Sequence, residues 1–229
     1  MKSFKVDHYD PSVYNLTLSV LLEHCPDIQK RLIDIQEKLT NGLDFTEDIS
    51  NTALYKYPAR TLHFSIINFA TATITSEDQN EFKLKYQALI DKLRVEIEGT
   101  LNKFKSWKLS INSLHFVKKP QGSTISANVV LNNGFENDIK EELDALIQVS
   151  LAQDDKCLKF YPSGNNFAIN LVRIFRELSE PEETQLIEQF ERCNKGFSPF
   201  ELKISKLSLV VSNNYLSNSG CAIHTFSLK

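Results

Sequence analysis

One stretch of the sequence decides the fold: TLHFSIINF, residues 61–69. It is rich in β-forming residues and closely follows Pro58, so it predicts a strand. A second stretch, NNFAI at residues 165–169, can be overlaid on LHFSI at residues 62–66. Each stretch is followed by the patterns of a helix and then two further strands. The sequence therefore predicts two copies of a β-α-β-β unit.

The remaining elements follow from periodicity and from turn residues. A capping box at Ser76 predicts the start of a long helix that runs to Leu101. A second helix is predicted to begin at Ser179 and to stop near Gly196. Further strands are expected at residues 107–118, 123–131, 166–174, 201–212 and 220–228, and a helix at residues 136–151.

The segment before residue 61 gives a different pattern. Residues 13–22 are mixed apolar, and apolar residues recur at helical spacing from Asp27 to Gly42. We therefore expect an N-terminal helical extension over residues 1–60 and one domain over residues 61–229, with lobes at about 61–150 and 151–229. The predicted fold class is α+β, with two antiparallel-rich sheets side by side around a central cleft and helices outside.

Composition and charge restrict the function. The chain has 229 residues, of which 41% are hydrophobic and 24% charged, as in an ordinary globular protein. A net charge of -3 argues against binding extended double-stranded nucleic acid through its phosphates. The four cysteines form no C-x-x-C pair, and no signal peptide or membrane span is visible. We expect a cytoplasmic monomer with no membrane partner.

The face of the first strand carries the chemistry. Side chains alternate along a strand, so His63, Ser65 and Ile67 are expected to share one face. This places an imidazole and a hydroxyl about 7 Å apart. An imidazole can take or give a proton near neutral pH, and a hydroxyl can donate a hydrogen bond to a phosphoryl oxygen. The corresponding face of the second strand carries Asn166, Ala168 and Asn170.

The stretch LHFSI resembles the His-x-Ser/Thr motif of the 2H (two-histidine) phosphoesterases. These include the bacterial RNA 2′,5′-ligase/phosphodiesterases and the cyclic phosphodiesterases. The run LSLVVSNNY at residues 207–215, followed by Gly220 and a last strand, is similar to the tail of that family. The resemblance covers about residues 58–229.

The resemblance implies a mechanism. In the family, two motifs face each other, two histidines transfer protons and two hydroxyl residues hold the phosphate, without a metal or cofactor. Carried onto this chain, His63 is one acid/base and Ser65 one phosphate contact. The implied ligand is a cyclic nucleotide, an oligonucleotide or an RNA end, with a 2′,3′-cyclic or 2′,5′-linked phosphodiester.

The second motif departs from the family pattern. Asn166 stands where the second histidine is expected, and Ala168 stands where the second hydroxyl is expected. Asparagine cannot usefully transfer a proton. The chain is therefore either a divergent metal-independent phosphodiesterase or a catalytically inactive pseudoenzyme that binds a nucleotide, an RNA end or a protein partner.

Other side chains are weaker candidates. Arg173, Tyr161 and Tyr215 are candidate phosphate or ligand contacts. His115 and His224 are considered as substitutes for the missing histidine, although each is more typical of a structural strand residue. A zinc site built from His63 with these two histidines has no spacing signature.

Overall fold

The computed structural model describes residues 13–45, 54–73, 79–101, 106–117, 123–131, 159–160, 166–175, 177–212 and 221–229. Within these ranges the strands are β1 (Val13–Leu21), β2 (Leu54–Lys56), β3 (His63–Thr73), β4 (Trp107–Val117), β5 (Ser123–Leu131), β6 (Lys159–Phe160), β7 (Asn166–Ile174), β8 (Phe200–Ile204), β9 (Lys206–Ser212) and β10 (Cys221–Ser227). The helices are α1 (Pro26–Thr40), α2 (Gln79–Lys85), α3 (Gln87–Leu101) and α4 (Glu180–Lys195), with short 3₁₀ turns at Leu22–His24 and Ala59–Thr61.

Two five-stranded sheets form the fold. Sheet A has the strand order β10-β9-β1-β3-β6, and sheet B has the order β2-β7-β5-β4-β8. All the strand pairs that the structure describes are antiparallel. The predicted α+β class with two antiparallel sheets is confirmed.

Helices cover the apolar face of each sheet. On sheet A, Tyr14 of β1 stacks on Phe82 of α2 with ring centroids 5.7 Å apart. On sheet B, Phe116 of β4 packs against Phe190 of α4 at 5.7 Å. A capping box at Ser179 starts α4, as the sequence predicts. The apolar stripes of the helices thus bury the apolar face of each sheet, and the polar residues lie on the opposite face.

The first correction concerns the start of the chain. Residues 13–21 are not part of a helical extension, because they form β1, which pairs with β3 on one side and β9 on the other. Helix α1 then packs over sheet B, where the Gln36 side chain donates hydrogen bonds to Tyr57 O and Leu171 O at 2.8 and 2.6 Å. Because β2 of the same segment pairs with β7, the first sixty residues contribute a strand to each sheet.

The second correction concerns residues 201–212, for which the sequence predicts one strand. The chain breaks at Ser205, so β8 pairs with β4 in sheet B whereas β9 pairs with β1 in sheet A. One residue thus carries the chain from one sheet to the other.

Most of the other predicted elements are found. Strands β4, β5, β7 and β10 lie within one or two residues of the expected bounds, and the long helix is present but interrupted at Tyr86. The capping box at Ser76 and the helix predicted at residues 136–151 lie outside the described residues.

Candidate active site

A polar face on sheet A forms the centre of the candidate site. Its polar members come from four adjacent strands and are placed on one side by the pairing register: Asn15, Thr17, Ser19, His63, Ser65, Asn68, Thr71, Ser208, Ser212 and Thr225. Six of them are buried: Asn15, Thr17, Ser19, Asn68, Ser208 and Ser212. Buried polar groups are costly unless they are paired, so such a concentration makes this face the candidate site.

Two irregularities in β3 create this face and correct the predicted alternation. The register skips Ile66 and Phe69, so that Ile67 lies opposite Leu18 and Asn68 lies opposite Thr17. Ile67 therefore faces the apolar side, not the side of His63 and Ser65 as strict alternation predicts. A bulge adds one residue to one strand and resets which face the following side chains occupy.

His63 is held as a neutral base. Its Nδ1 lies 2.7 Å from Thr61 O, and because a carbonyl oxygen can only accept, Nδ1 carries the proton. The other nitrogen, Nε2, is then the basic one. Burial lowers the pKa of His63 below its ordinary value, and the hydrogen bond to Thr61 only partly offsets this. The imidazole is consequently unprotonated at neutral pH and half-buried at the polar face.

Ser65 ends a chain of hydroxyl groups. Ser19 Oγ donates to Ser65 Oγ at 3.3 Å, and Thr17 Oγ1 lies 3.1 Å from Ser19 Oγ. Because Ser19 uses its single proton on Ser65, Thr17 is the donor in the second bond. The proton of Ser65 is not used in this chain, and the donors behind Ser65 polarise its hydroxyl.

His24 is a second imidazole at the same face, and it belongs to no motif that the sequence shows. Ser208 Oγ lies 3.5 Å from His24 Nε2 and 3.1 Å from Thr225 Oγ1. Ser208 is paired directly opposite Ser19, which in turn is opposite Ser65. Ser208, which His24 contacts, is therefore separated from Ser65 by two strand spacings, about 9.6 Å.

The two motif-bearing strands meet as expected. Phe64 of β3 and Phe167 of β7 pack with ring centroids 5.2 Å apart. These rings lie on the apolar faces of their strands, so the residues that alternate with them lie on the opposite faces. Ala168 is exposed there and offers no donor. Asn166 is the first residue of β7.

The alternative histidines do not join His63. His224 lies opposite Leu209 on the apolar side of sheet A, and its ring packs against Phe226 at 4.6 Å. His115 is exposed on β4 of sheet B, and its Nε2 lies 3.2 Å from Ser113 Oγ. Among the residues described here, no group of three metal-ligating side chains is present.

The candidate ligand contacts divide into two groups. Arg173 lies on β7, directly opposite Tyr55 of β2 on one side and Thr124 of β5 on the other. Tyr161 and Tyr215 lie outside the described residues.

Comparison with known proteins agrees on the fold. TT0787 of Thermus thermophilus superposes with a TM-score of 0.55 at 13% identity, covering 93% of this chain and 97% of that one. This chain has the fold of TT0787. Usb1 of Kluyveromyces marxianus gives a TM-score of 0.44 at 12% identity, covering 96% and 99% of the two chains. Its structure with uridine monophosphate gives 0.43 at 11% identity, covering 95% and 99%.

The Usb1 superpositions fall below a TM-score of 0.5, so the fold assignment depends on TT0787. Because that superposition covers 93% of this chain, most of the first sixty residues belong to the shared fold. No model of a known protein family matches the chain, and no curated protein is similar to it in sequence. No helix in the described part of the chain is long and apolar enough to span a membrane.

Proposed function

We propose that this chain is a phosphoesterase of the two-histidine type that acts on a nucleotide phosphodiester. The observation that carries the proposal is the pairing of a neutral His63, fixed through Nδ1 to Thr61 O at 2.7 Å, with the oriented hydroxyl of Ser65. The resemblance of LHFSI to the two-histidine motif supports it.

In this proposal His63 is the general base. Its Nε2 takes the proton from the attacking water, whose oxygen forms the new bond to phosphorus while the bond to the leaving oxygen breaks. The Ser65 hydroxyl donates to a non-bridging phosphate oxygen, where negative charge builds up in the transition state. The Ser19 and Thr17 hydroxyls behind it strengthen that donor.

The leaving oxygen needs a proton, and we assign that role to His24. It borders the same polar face and approaches Ser208 at 3.5 Å. The Glu23 carboxylate lies 4.0 Å from its Nε2. A protonated His24 gives its proton to the leaving oxygen. This supplies the second proton-transfer group that the sequence of β7 lacks.

The substrate class follows from the same site and from the resemblance. The resemblance implies a 2′,3′-cyclic or 2′,5′-linked phosphodiester at the end of an oligonucleotide or RNA, and the hydroxyl donors of the polar face suit its phosphate. One observation favours the pseudoenzyme instead: the exposed Ala168 removes a phosphate contact that the two-histidine enzymes have. In that case the same ligands would bind without being hydrolysed.

The test is turnover and binding of 2′,3′-cyclic mononucleotides and 2′,5′-linked oligoadenylate. We expect the rate to fall about 10²–10⁴-fold in His63→Ala and His24→Gln, because each removes a proton-transfer group. Ser65→Ala should lower it about 10²–10³-fold. His115→Ala is the matched control, since that exposed histidine also contacts a serine but lies on sheet B, and its rate should stay unchanged.

Two results would overturn the proposal. Turnover that survives His63→Ala at the wild-type rate would remove the general base. Binding that depends on Ser65 without any turnover would establish the pseudoenzyme.

A further inference from the structure

A second polar cluster lies at the edge of sheet B, where β2 meets β7. Its members are Tyr57, Asn170 and Arg173. The backbone places Tyr57 directly after β2, with its N–H donating to Leu171 O at 3.1 Å. Arg173 pairs with Tyr55 on β2, two residues before Tyr57. The register of β7 skips Leu171, so Asn170 and Arg173 lie on the same face.

Two atoms of this cluster are buried without a partner. Tyr57 is 1% exposed, and neither its hydroxyl nor the Arg173 Nε has a hydrogen bond in the described structure. Burial raises the pKa of Tyr57, while the nearby Arg173 and Asn170 side chains lower it. These two side chains therefore direct N–H groups at the hydroxyl oxygen in contacts weaker than a well-formed hydrogen bond, and the hydroxyl proton has no acceptor. Native proteins seldom leave such groups unsatisfied, so each one requires an explanation.

The charge of Arg173 is also uncompensated. In the described parts of the chain Lys56 forms an ion pair with Glu37, and no carboxylate pairs with Arg173. Its guanidinium lies 5.9 Å from the Phe175 ring. Arg173 is half-buried, so part of its side chain is in contact with solvent. A phenol O–H, an amide N–H₂ and a guanidinium are all donors, and together they fit an anion.

The cluster lies close to the proposed catalytic pair but does not overlap it. Phe167 of β7 contacts Phe64, which lies between His63 and Ser65 in the chain. Asn170 is three residues further along β7, about 10 Å away at the rise of a strand. It shares a face with Ala168, which alternates with Phe167. At that separation a single phosphate group cannot contact both Ser65 and Asn170, whereas two neighbouring phosphates of one ligand can.

We propose that Tyr57, Asn170 and Arg173 form a second phosphate site that holds a phosphate neighbouring the one at His63 and Ser65. The preferred substrate is then an oligonucleotide end with at least two phosphates, not a cyclic mononucleotide. The anion site stands on its own geometry, but the identity of its ligand rests on the proposed function.

The test compares 2′,5′-linked diadenylate with and without a 5′-phosphate, by calorimetric binding and by hydrolysis. The wild type should bind the phosphorylated form about tenfold or more tightly, since a hydrogen bond to a charged group has about that effect. Tyr57→Phe and Arg173→Gln should each remove most of this difference. Arg60→Gln, an exposed arginine three residues after Tyr57, is the matched control and should keep it.

A stability measurement separates binding from folding. Because the Tyr57 hydroxyl receives only weak contacts from Arg173 and Asn170 and donates to no acceptor, Tyr57→Phe should leave the urea midpoint of the ligand-free protein unchanged or raised. A lowered midpoint would show that the hydroxyl is already paired and would overturn the inference.

The two proposals fail in different ways. Equal binding of the two dinucleotides by the wild type, with turnover that needs His63, would overturn the second phosphate site alone. A 5′-phosphate preference that is lost in Tyr57→Phe, without any turnover, would support the second site and overturn the catalytic proposal.

Discussion

Gln36 connects helix α1 to the strand that carries the proposed phosphate site, and its replacement by methionine tests the packing directly. The side chain is 2% exposed, and its Nε2 donates to Tyr57 O and to Leu171 O. Methionine keeps the size of the side chain but removes both donors. Leu171 O retains the bond from the Tyr57 N–H, so the main loss falls on Tyr57 O.

The expected loss in the free energy of unfolding is about 2–4 kcal/mol, from one buried carbonyl left unsatisfied and one further bond removed. The assay is equilibrium unfolding in urea, where the midpoint should fall while the slope stays constant. Gln29→Met is the matched control, because Gln29 on the same helix donates to Ala59 O at 2.9 Å in an exposed place that water can occupy. Its loss should stay below about 1 kcal/mol. Equal losses in the two variants would refute the reasoning.

Three further predictions concern the core, the pH response and a helix end. Phe64→Ala and Phe167→Ala should each lower the free energy of unfolding by about 3–5 kcal/mol. A double-mutant cycle should give a coupling energy of about 0.5–1.5 kcal/mol for the ring pair. A coupling near zero would mean that β3 and β7 do not meet there. Because the folded state lowers the pKa of His63, the unfolded chain binds its proton more readily. The free energy of unfolding should therefore be highest above pH about 6.5 and should fall as the pH decreases below that value. His63→Asn keeps a donor for Thr61 O and should show a smaller fall, whereas identical pH profiles of the two proteins would contradict this. Ser179→Ala removes the hydroxyl that donates to Glu182 at 2.7 Å. It should lower the free energy of unfolding in urea by about 1 kcal/mol, and an unchanged midpoint would contradict the capping box.

Regular patterns are readable from the sequence, and irregular ones are not. The stretches at residues 123–131 and 166–174 combine β-forming residues with turn residues at their ends, so the predicted strands match the structure closely. In β1 the residues Asn15, Thr17 and Ser19 alternate with apolar ones at a period of two, which is a strand signal. The helical pattern that follows from Asp27 masks this signal, because it favours a helical extension over the whole segment.

The bulges could not be predicted because they depend on partner strands. Strict alternation along β3 places Ile67 beside Ser65, and only the pairing with β1 shows that the register skips Ile66. The same limit applies to His24. Its place beside Ser208 is fixed by a contact between residues 184 positions apart, which no local pattern contains.

The crossing at Ser205 has a consequence for biosynthesis. Sheet A needs β1, which leaves the ribosome before every other described strand, and also β9 and β10, which leave after the others. The early strands must therefore wait with unpaired edges until residues 206–227 have emerged. Neither half of the chain, expressed alone, would contain a whole sheet. This protein should consequently depend on late closure of sheet A, and a nascent chain stalled before residue 206 should be a target for chaperones.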